Sequence, residues 1–457
     1  LSRKKAQIFR LFSFINGMVD ALWVADSGIF IVGSNDFKII KSVCRKILKV
    51  GSTNLGLLVS YWKTWTTYLF HRVARTETIG PLALPDKENI FSRFENLKRV
   101  KEILRKHPDQ IDSLDGAFLG HLRSSRQLPY MGRQTEIASV KKFKEVITSR
   151  FSVKTETFYR MVQSATRIGR ICRKLRKGPL ADGSAHFSIS SSGEFSHSIS
   201  RGAFSGAVLE QAVGTLLRCS KTESEAVTPF GTIHYMEGIQ YWRYLFREIP
   251  IMDVDFWDKR PGFPKEQPNR FFGIDEVFGK QVMWAAWIAS QGSNPHHIPV
   301  RAEVVPEMGN KARMVTISPW WLQILQAPLA HVCIDMMKWH PSVFSSFHKM
   351  DQAWSASVGL HHVKDTSRSH WLLSSDLKDA TNAQNIDLTK AMIKGFCLGA
   401  GIVKNSDQYV DYCLGLLGST SSGSREVYFK DGSIIHSYSG IMMGEPLAKV
   451  GLTLLNL

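Results

Sequence analysis

The sequence has no apolar run long enough to cross a bilayer. Val282 to Ala289 and Ala21 to Ala25 fall far short of the roughly 20 residues that a membrane-spanning helix needs. A signal-peptide core is missing too: Arg3, Lys4 and Lys5 precede apolar positions, but Arg10 and Asn16 break them up and no small-residue cleavage site follows. Cysteine is scarce. Cys44, Cys172, Cys219, Cys333, Cys397 and Cys413 include no Cys-X-X-Cys pair, which argues against a zinc ribbon or a disulfide framework and for buried, inert thiols in an intracellular chain. Acidic residues are the other shortage, 40 Asp and Glu against 58 Lys and Arg, for a formal charge of 58 − 40 = +18. An excess of that size attracts polyanions whatever the fold.

What is present is the composition of a packed globular protein, 44% hydrophobic and 11% aromatic over 457 residues, with no internal repeat. At about 150 residues per domain, that length implies roughly three units. The first residue is Leu1 and the last, Leu457, falls inside an apolar helical pattern with no polar cap after it; both ends read as cut.

The first 183 residues form a basic, mainly helical region, with Phe94, Leu97, Val100, Ile103 and Leu104 at helical spacing. Late in it, Arg167, Arg170, Arg173, Lys174, Arg176 and Lys177 recur in steps of three and four. Most of these charges gather on one helix face, which is either a solvated surface or a track for a phosphate backbone. A Ser/Gly-rich stretch at 184–206 marks a loop or boundary. Aromatic-rich segments at Tyr241 to Phe246 and Phe271 to Trp287 then belong to a mixed region reaching 370. Within it, Asp253 and Asp255 form an Asp-X-Asp that reads as a surface turn or, on a strand, as a divalent-ion pair.

Three later segments carry the chemistry. In Arg301 to Ile317, two β-rich runs flank a turn-like Pro306 to Asn310, and Lys311 and Arg313 stand two apart on the second run. On a strand they share a face, where they could clamp a triphosphate or simply decorate a hairpin. In Trp371 to Asn382, an apolar strand runs into Asp376, whose burial demands a partner or a metal. Asp379 and Thr381 read as a helix cap, and a helical pattern begins near Gln384. In the third segment, Val427 to His436 forms a hairpin with Asp431-Gly432 at its turn and leads to Gly440 and Gly444. Those glycines permit a backbone that other residues resist, and Pro446 suits the first turn of the helix that follows.

In this order and spacing, Pro306 to Arg313, Asp376 to Thr381 and Met443 to Lys449 resemble motifs F, A and B of viral RNA-dependent RNA polymerases. They are most similar to the Pro-Glu-X-Gly-X-Lys-X-Arg, Asp-Leu-X-Asp-Ala-Thr and Met-Gly-X-Pro-X-X-Lys segments of ourmia-like viruses and their narnavirus relatives. The stretch with Glu194, Arg201 and Gly202 faintly resembles a fingers loop of that family. The resemblance implies an α+β right-hand fold, with fingers through 370 and a partial palm over 371–457. It makes Asp376 the catalytic carboxylate and metal ligand, Lys311 and Arg313 phosphate contacts, and Gly444 part of the loop shaping the nucleotide site. It further implies Mg2+, with Mn2+ as a substitute, at two ions about 3.5 to 4 Å apart. The implied partners are an RNA template and product and ribonucleoside triphosphates, with no DNA, in the host-cell cytoplasm; mitochondrial or membrane association stays open.

The sequence departs from that pattern in places. Asn382 stands where a second motif A carboxylate is usual and could bond a ribose 2′-hydroxyl; Asn456 is the nearest motif B asparagine. No Gly-Asp-Asp occurs, so the chain alone is expected not to polymerise. Either the reading frame is truncated, or the polymerase is naturally divided and a second chain supplies motif C. Two other functions compete: a non-catalytic, basic RNA-binding or nucleocapsid-like protein using Arg167, Arg170, Arg173, Lys174 and Lys177, and a glycosyltransferase built around Asp253 and Asp255.

Overall fold

A computed structural model describes residues 3–25, 31–74, 89–123, 128–177, 193–201, 203–208, 210, 225–228, 231–234, 282, 285–343, 381–403 and 408–457. Asp376, Asp379, Asp253, Asp255, Gly202 and the aromatic segment at 241–246 lie outside them. The fold is α+β, mostly helical with a small four-stranded sheet. Among the described residues no helix is long and apolar enough to cross a membrane. Two compact units divide the chain, and they do not follow sequence order. The first takes 1–142 and 304–314, the second 143–303 and 315–457.

The first unit is helical, as the sequence predicts. Its long helices are α1 (Arg3–Ala25), α2 (Asn35–Thr53) and α3 (Leu55–Ala74), followed by α4 (Lys98–Arg105), α5 (Ser113–Arg123) and the start of α6 (Arg133–Thr148). Helix α2 begins where the Ser34 hydroxyl accepts the Phe37 N–H, and it buries Ile40, Val43 and Ile47 along one stripe. An aromatic cluster sits at the centre. Phe14 meets Trp62 edge-on at 5.3 Å, Trp62 meets Phe91 at 4.9 Å, and Trp65 meets Phe94 at 5.5 Å. The spacing from Phe94 to Leu104 is not one helix: a 3-10 turn, Ile90–Asn96, gives way to α4 at an extended Leu97. Two cations, Arg99 and Lys106, converge on the fully buried Asp115, so its charge is matched inside the core.

In the second unit, α7 (Thr155–Leu175) packs on a later helix, although its sequence neighbours belong to the first region. Short strands β1 (Glu225–Thr228) and β2 (Gly231–His234) pair with each other after a short α8 (Ala203–Ala207). The four-stranded sheet has the order β4-β3-β5-β6, formed by β3 (Ile298–Glu307), β4 (Lys311–Ile317), β5 (Arg425–Tyr428) and β6 (Ile434–Ser437). β5 pairs only with Ile298 to Arg301 of β3. Further along, β3 has no β5 partner, and that is where Pro306 sits within the strand rather than in a turn.

Helices α9 (Trp320–Met337), α10 (Ile386–Ala400), α11 (Gln408–Gly415) and α12 (Pro446–Asn456) build a helical core together with α7. α10 is capped by Asn385, whose side chain accepts the Leu388 N–H, so the predicted cap at Asp379 and Thr381 is displaced towards the helix. α7 crosses α10 closely because its buried face is small, comprising Ala165, Ile168, Gly169 and Cys172. A Cβ on Gly399 would lie 2.1 Å from the Thr166 carbonyl oxygen, a separation only glycine allows. The expectation of buried thiols holds for Cys172, Cys333, Cys397 and Cys413, while Cys44 is half-buried.

α9 contains Pro328, which breaks the helical hydrogen-bond ladder. The Tyr409 hydroxyl sits at the break, accepting the Leu329 N–H at 3.2 Å and donating to the Leu325 carbonyl at 2.9 Å. Burial pushes this phenol well above its ordinary pKa, so it keeps its proton and both bonds. Tyr409→Phe is therefore expected to cost about 1–3 kcal/mol in urea unfolding, because two buried backbone groups lose a partner. A loss under about 0.5 kcal/mol would show that the helix closes the gap by itself.

Candidate functional site

The first unit carries the two cations singled out by sequence. Their hairpin closes in a two-residue loop, Gly309 and Asn310, with φ of +84° and +51°, the pairing that tight β-hairpins require. The turn is thus narrower than Pro306 to Asn310. Its tip is pinned: the Pro129 carbonyl accepts the Gly309 and Asn310 N–H groups at 2.9 and 3.0 Å. The Asn310 Oδ1 accepts the Gly132 N–H and the Thr135 hydroxyl, both at 2.9 Å. Lys63 Nζ donates to the Gly309 carbonyl at 3.1 Å.

On this fixed ribbon Lys311 and Arg313 are both exposed, as alternate strand positions should be. Arg313 Nε meets Glu307 Oε1 at 2.9 Å, so part of its fork is already engaged. Lys63 was not singled out by sequence. Burial, then the nearby Lys311 charge, holds its ammonium below the usual lysine range. Lys63 and Lys311 thus form a neighbouring pair of like charges, an arrangement that an anion would relieve.

In the second unit, the ends of the three segments meet. Thr316, further along β4, donates both its N–H and its hydroxyl to the Met443 carbonyl, at 3.2 and 2.6 Å. Gly444 follows with φ +112°, and a Cβ there would lie 2.6 Å from the Thr316 carbonyl oxygen. At the other end of this loop, Gly440 and Ile441 donate to the carbonyls of Gln384 and Thr381, at 2.8 and 3.1 Å. The Ser439 hydroxyl donates to the Asn382 carbonyl at 3.1 Å. A Cβ on Gly440 (φ +84°) would come 2.7 Å from that same oxygen. The positive backbone angles read from Gly440 and Gly444 are both present, and close backbone contact adds a second reason for glycine. Asn382 is half-buried beside this loop. Asn456 is not: it is exposed at the far end of α12, about 15 Å along the axis from Pro446.

Two charged residues missed by sequence hold this loop. Arg425 and Glu445 are each 1% exposed and form a two-pronged pair, Nε to Oε1 and Nη2 to Oε2, both at 2.6 Å. Arg425 Nη1 also donates to the carbonyls of Leu416 and Ser424 at 3.0 and 2.8 Å. Glu445 precedes Pro446, which starts α12 as predicted. In the 193–201 stretch, the buried Glu194 carboxylate accepts the Trp320 N–H at 3.1 Å, capping α9, and also the N–H groups of Ser196 and His197.

On α7, Arg167, Arg170 and Lys174 are exposed opposite the buried small face and Arg173 is exposed at its side; just past the helix end Lys177 is exposed and Arg176 half-buried. None of the five makes an ion pair with a described residue. A Cβ on Gly401, the C-cap of α10, would come 3.0 Å from the Arg173 guanidinium; this cation sits where a helix dipole favours it. No protein-family model and no curated protein matches the chain.

Glu445→Gln is expected to destabilise the second unit by about 3–5 kcal/mol, because it leaves Arg425 charged and unpaired in the core. Arg425→Met combined with Glu445→Leu should recover most of that loss in chemical denaturation. A single variant as stable as the parent would mean that water or another group reaches Arg425.

Proposed function

We propose that the chain is the fingers and first palm portion of a right-hand RNA-dependent RNA polymerase. One observation supports the reading above others: segments far apart in sequence, chosen for their resemblance to polymerase motifs, are hydrogen-bonded to one another at Thr316 to Met443 and at Thr381 to Ile441. In the first unit, Lys63, Lys311 and Arg313 offer a nucleotide's phosphates a cationic surface on a stiff ribbon. The Asn382 amide offers a ribose hydroxyl both donor and acceptor, and the exposed face of α7 with the residues just past its end offers a phosphate backbone four exposed cations, Arg167, Arg170, Lys174 and Lys177.

The sequence holds no Gly-Asp-Asp, Asp376 lies outside the described residues, and Glu445, near the loop, is fully engaged by Arg425. Nucleotidyl transfer therefore needs carboxylates from a motif C segment, and what these residues supply is positioning of nucleotide and RNA. The competing reading, a basic RNA-binding protein without catalysis, rests on the free cations of α7.

Primer extension with Mg2+, using this chain together with a candidate motif C half, separates the two. Extension that falls at least about 100-fold with Asp376→Asn, and a nucleotide KM raised by Lys311→Met, are the expected results. RNA binding without extension under every pairing assigns the chain to the binding class. Replacing Arg167, Arg170, Lys174 and Lys177 with Gln should also flatten the log–log salt dependence of single-stranded RNA binding by up to about 3. An unchanged slope would remove α7 from the RNA path.

A further inference from the structure

Three ligand-type side chains meet on the half-exposed face of the sheet in the second unit, and strand register explains why. Glu426 lies directly opposite His436 in the antiparallel β5–β6 pair and directly opposite Pro299 in the parallel β3–β5 pair. His297 is two positions before Pro299 and so falls on the same side. Three separate stretches of chain therefore each bring one donor to one spot. The Nδ1 atoms of His297 and His436 are 3.2 Å apart, with their rings at 85°. His297 Nδ1 is 3.8 Å from Glu426 Oε1, and the three donor atoms all lie within 4.8 Å of one another.

Those separations have a chemical meaning. Zinc–nitrogen bonds of about 2.0–2.1 Å in a tetrahedron set neighbouring donor atoms about 3.3 Å apart. The imidazole pair already stands at that edge length, and the carboxylate, 3.8 Å from His297 Nδ1 and within 4.8 Å of both imidazoles' donor atoms, closes the triangle with a side-chain shift of at most about 1.5 Å. Without an ion, two neutral imidazoles at this distance share a single proton between facing lone pairs, and two protonated ones repel. A cation accepts both lone pairs at once. The second oxygen of Glu426 accepts the Tyr428 hydroxyl at 3.3 Å, the kind of outer partner that orients a ligating carboxylate. His297 and Glu426 are 42% and 29% exposed, so an ion can enter from solvent. Two imidazoles with one carboxylate select a transition ion over oxygen-seeking magnesium.

We propose that His297, Glu426 and His436 form a zinc site that clips the start of β3 to the β5–β6 hairpin and leaves a fourth position open to water. The site stands independently of the polymerase reading, which involves a different ion and different residues.

The test uses the whole chain, stripped with a chelator and titrated calorimetrically with Zn2+. The expected result is one ion per chain, tighter than roughly 10 μM, a raised Tm, and affinity weakened at least about 100-fold in His297→Ala/His436→Ala. No saturable binding, or binding unchanged in the double variant, overturns the site. Circular dichroism of the ion-free variant checks that it folds. A second readout needs no substitution: Co2+ in the unaltered chain should give the intense visible bands of a four-coordinate site, and the pale spectrum of a six-coordinate ion would count against the proposal.

Discussion

The ion pair between Arg425 and Glu445 is the constraint on which the second unit's loop depends. Two charges in a core are costly to desolvate unless their mutual attraction and remaining hydrogen bonds are nearly complete. Here the two-pronged geometry satisfies the carboxylate, and the carbonyls of Leu416 and Ser424 take the rest of the guanidinium. The pair ties β5, the residue after α11 and the residue before α12 to one point. Because Glu445 directly follows Gly444, the exit of the 440–444 loop is fixed in space. The loop can then lie against Thr316 at one end and Asn382 at the other, with glycine wherever backbones come too close for a Cβ.

A second constraint acts through size rather than charge. α7 and α10 approach at Gly169, Gly395 and Gly399, and a side chain at any of these positions would force the helices apart. Tight packing on the small face of α7 fixes the helix's rotation about its own axis, which turns Arg167, Arg170 and Lys174 outward. The basic track is therefore a consequence of where the small residues fall. The same 3.6-residue period that spaces the charges also spaces Ala165, Ile168 and Cys172.

Local features were readable from the sequence and long-range ones were not. The helical first region, the positive φ at Gly440 and Gly444, Pro446 at the start of α12 and the shared face of Lys311 and Arg313 each depend on a few consecutive residues. Lys63 lies 246 positions from Gly309, and no spacing rule links them. Glu445 read as a variable position between glycine and proline, and Arg425 lies just before the hairpin predicted from Val427; their partnership exists only after folding. The His297, Glu426 and His436 group escaped for a related reason. A Cys-X-X-Cys pattern would be visible along the chain, whereas these donors are adjacent only across strands. Asn456 shows the reverse case, a residue type read from a motif although it lies about three helical turns from the loop.

The cationic ribbon of the first unit is best understood as an unfinished electrostatic arrangement. Burial and Lys311 both disfavour the charged form of Lys63; its folded-state pKa lies below that of the unfolded chain. The sign follows directly. Below the folded pKa the like-charge penalty is fully present, and it is relieved only as pH rises through that value towards the unfolded one. At neutral pH the fold therefore carries the cost, offset in part by the Lys63 bond to the Gly309 carbonyl. A polyanion bound here would reverse the sign of the local field and convert the penalty into binding free energy. On the proposed reading, holding cations together on a rigid hairpin trades some stability of the free protein for affinity towards phosphate. An overall charge of +18 would attract a polyanion, and the pinned turn at Gly309 and Asn310 holds these cations in position beforehand.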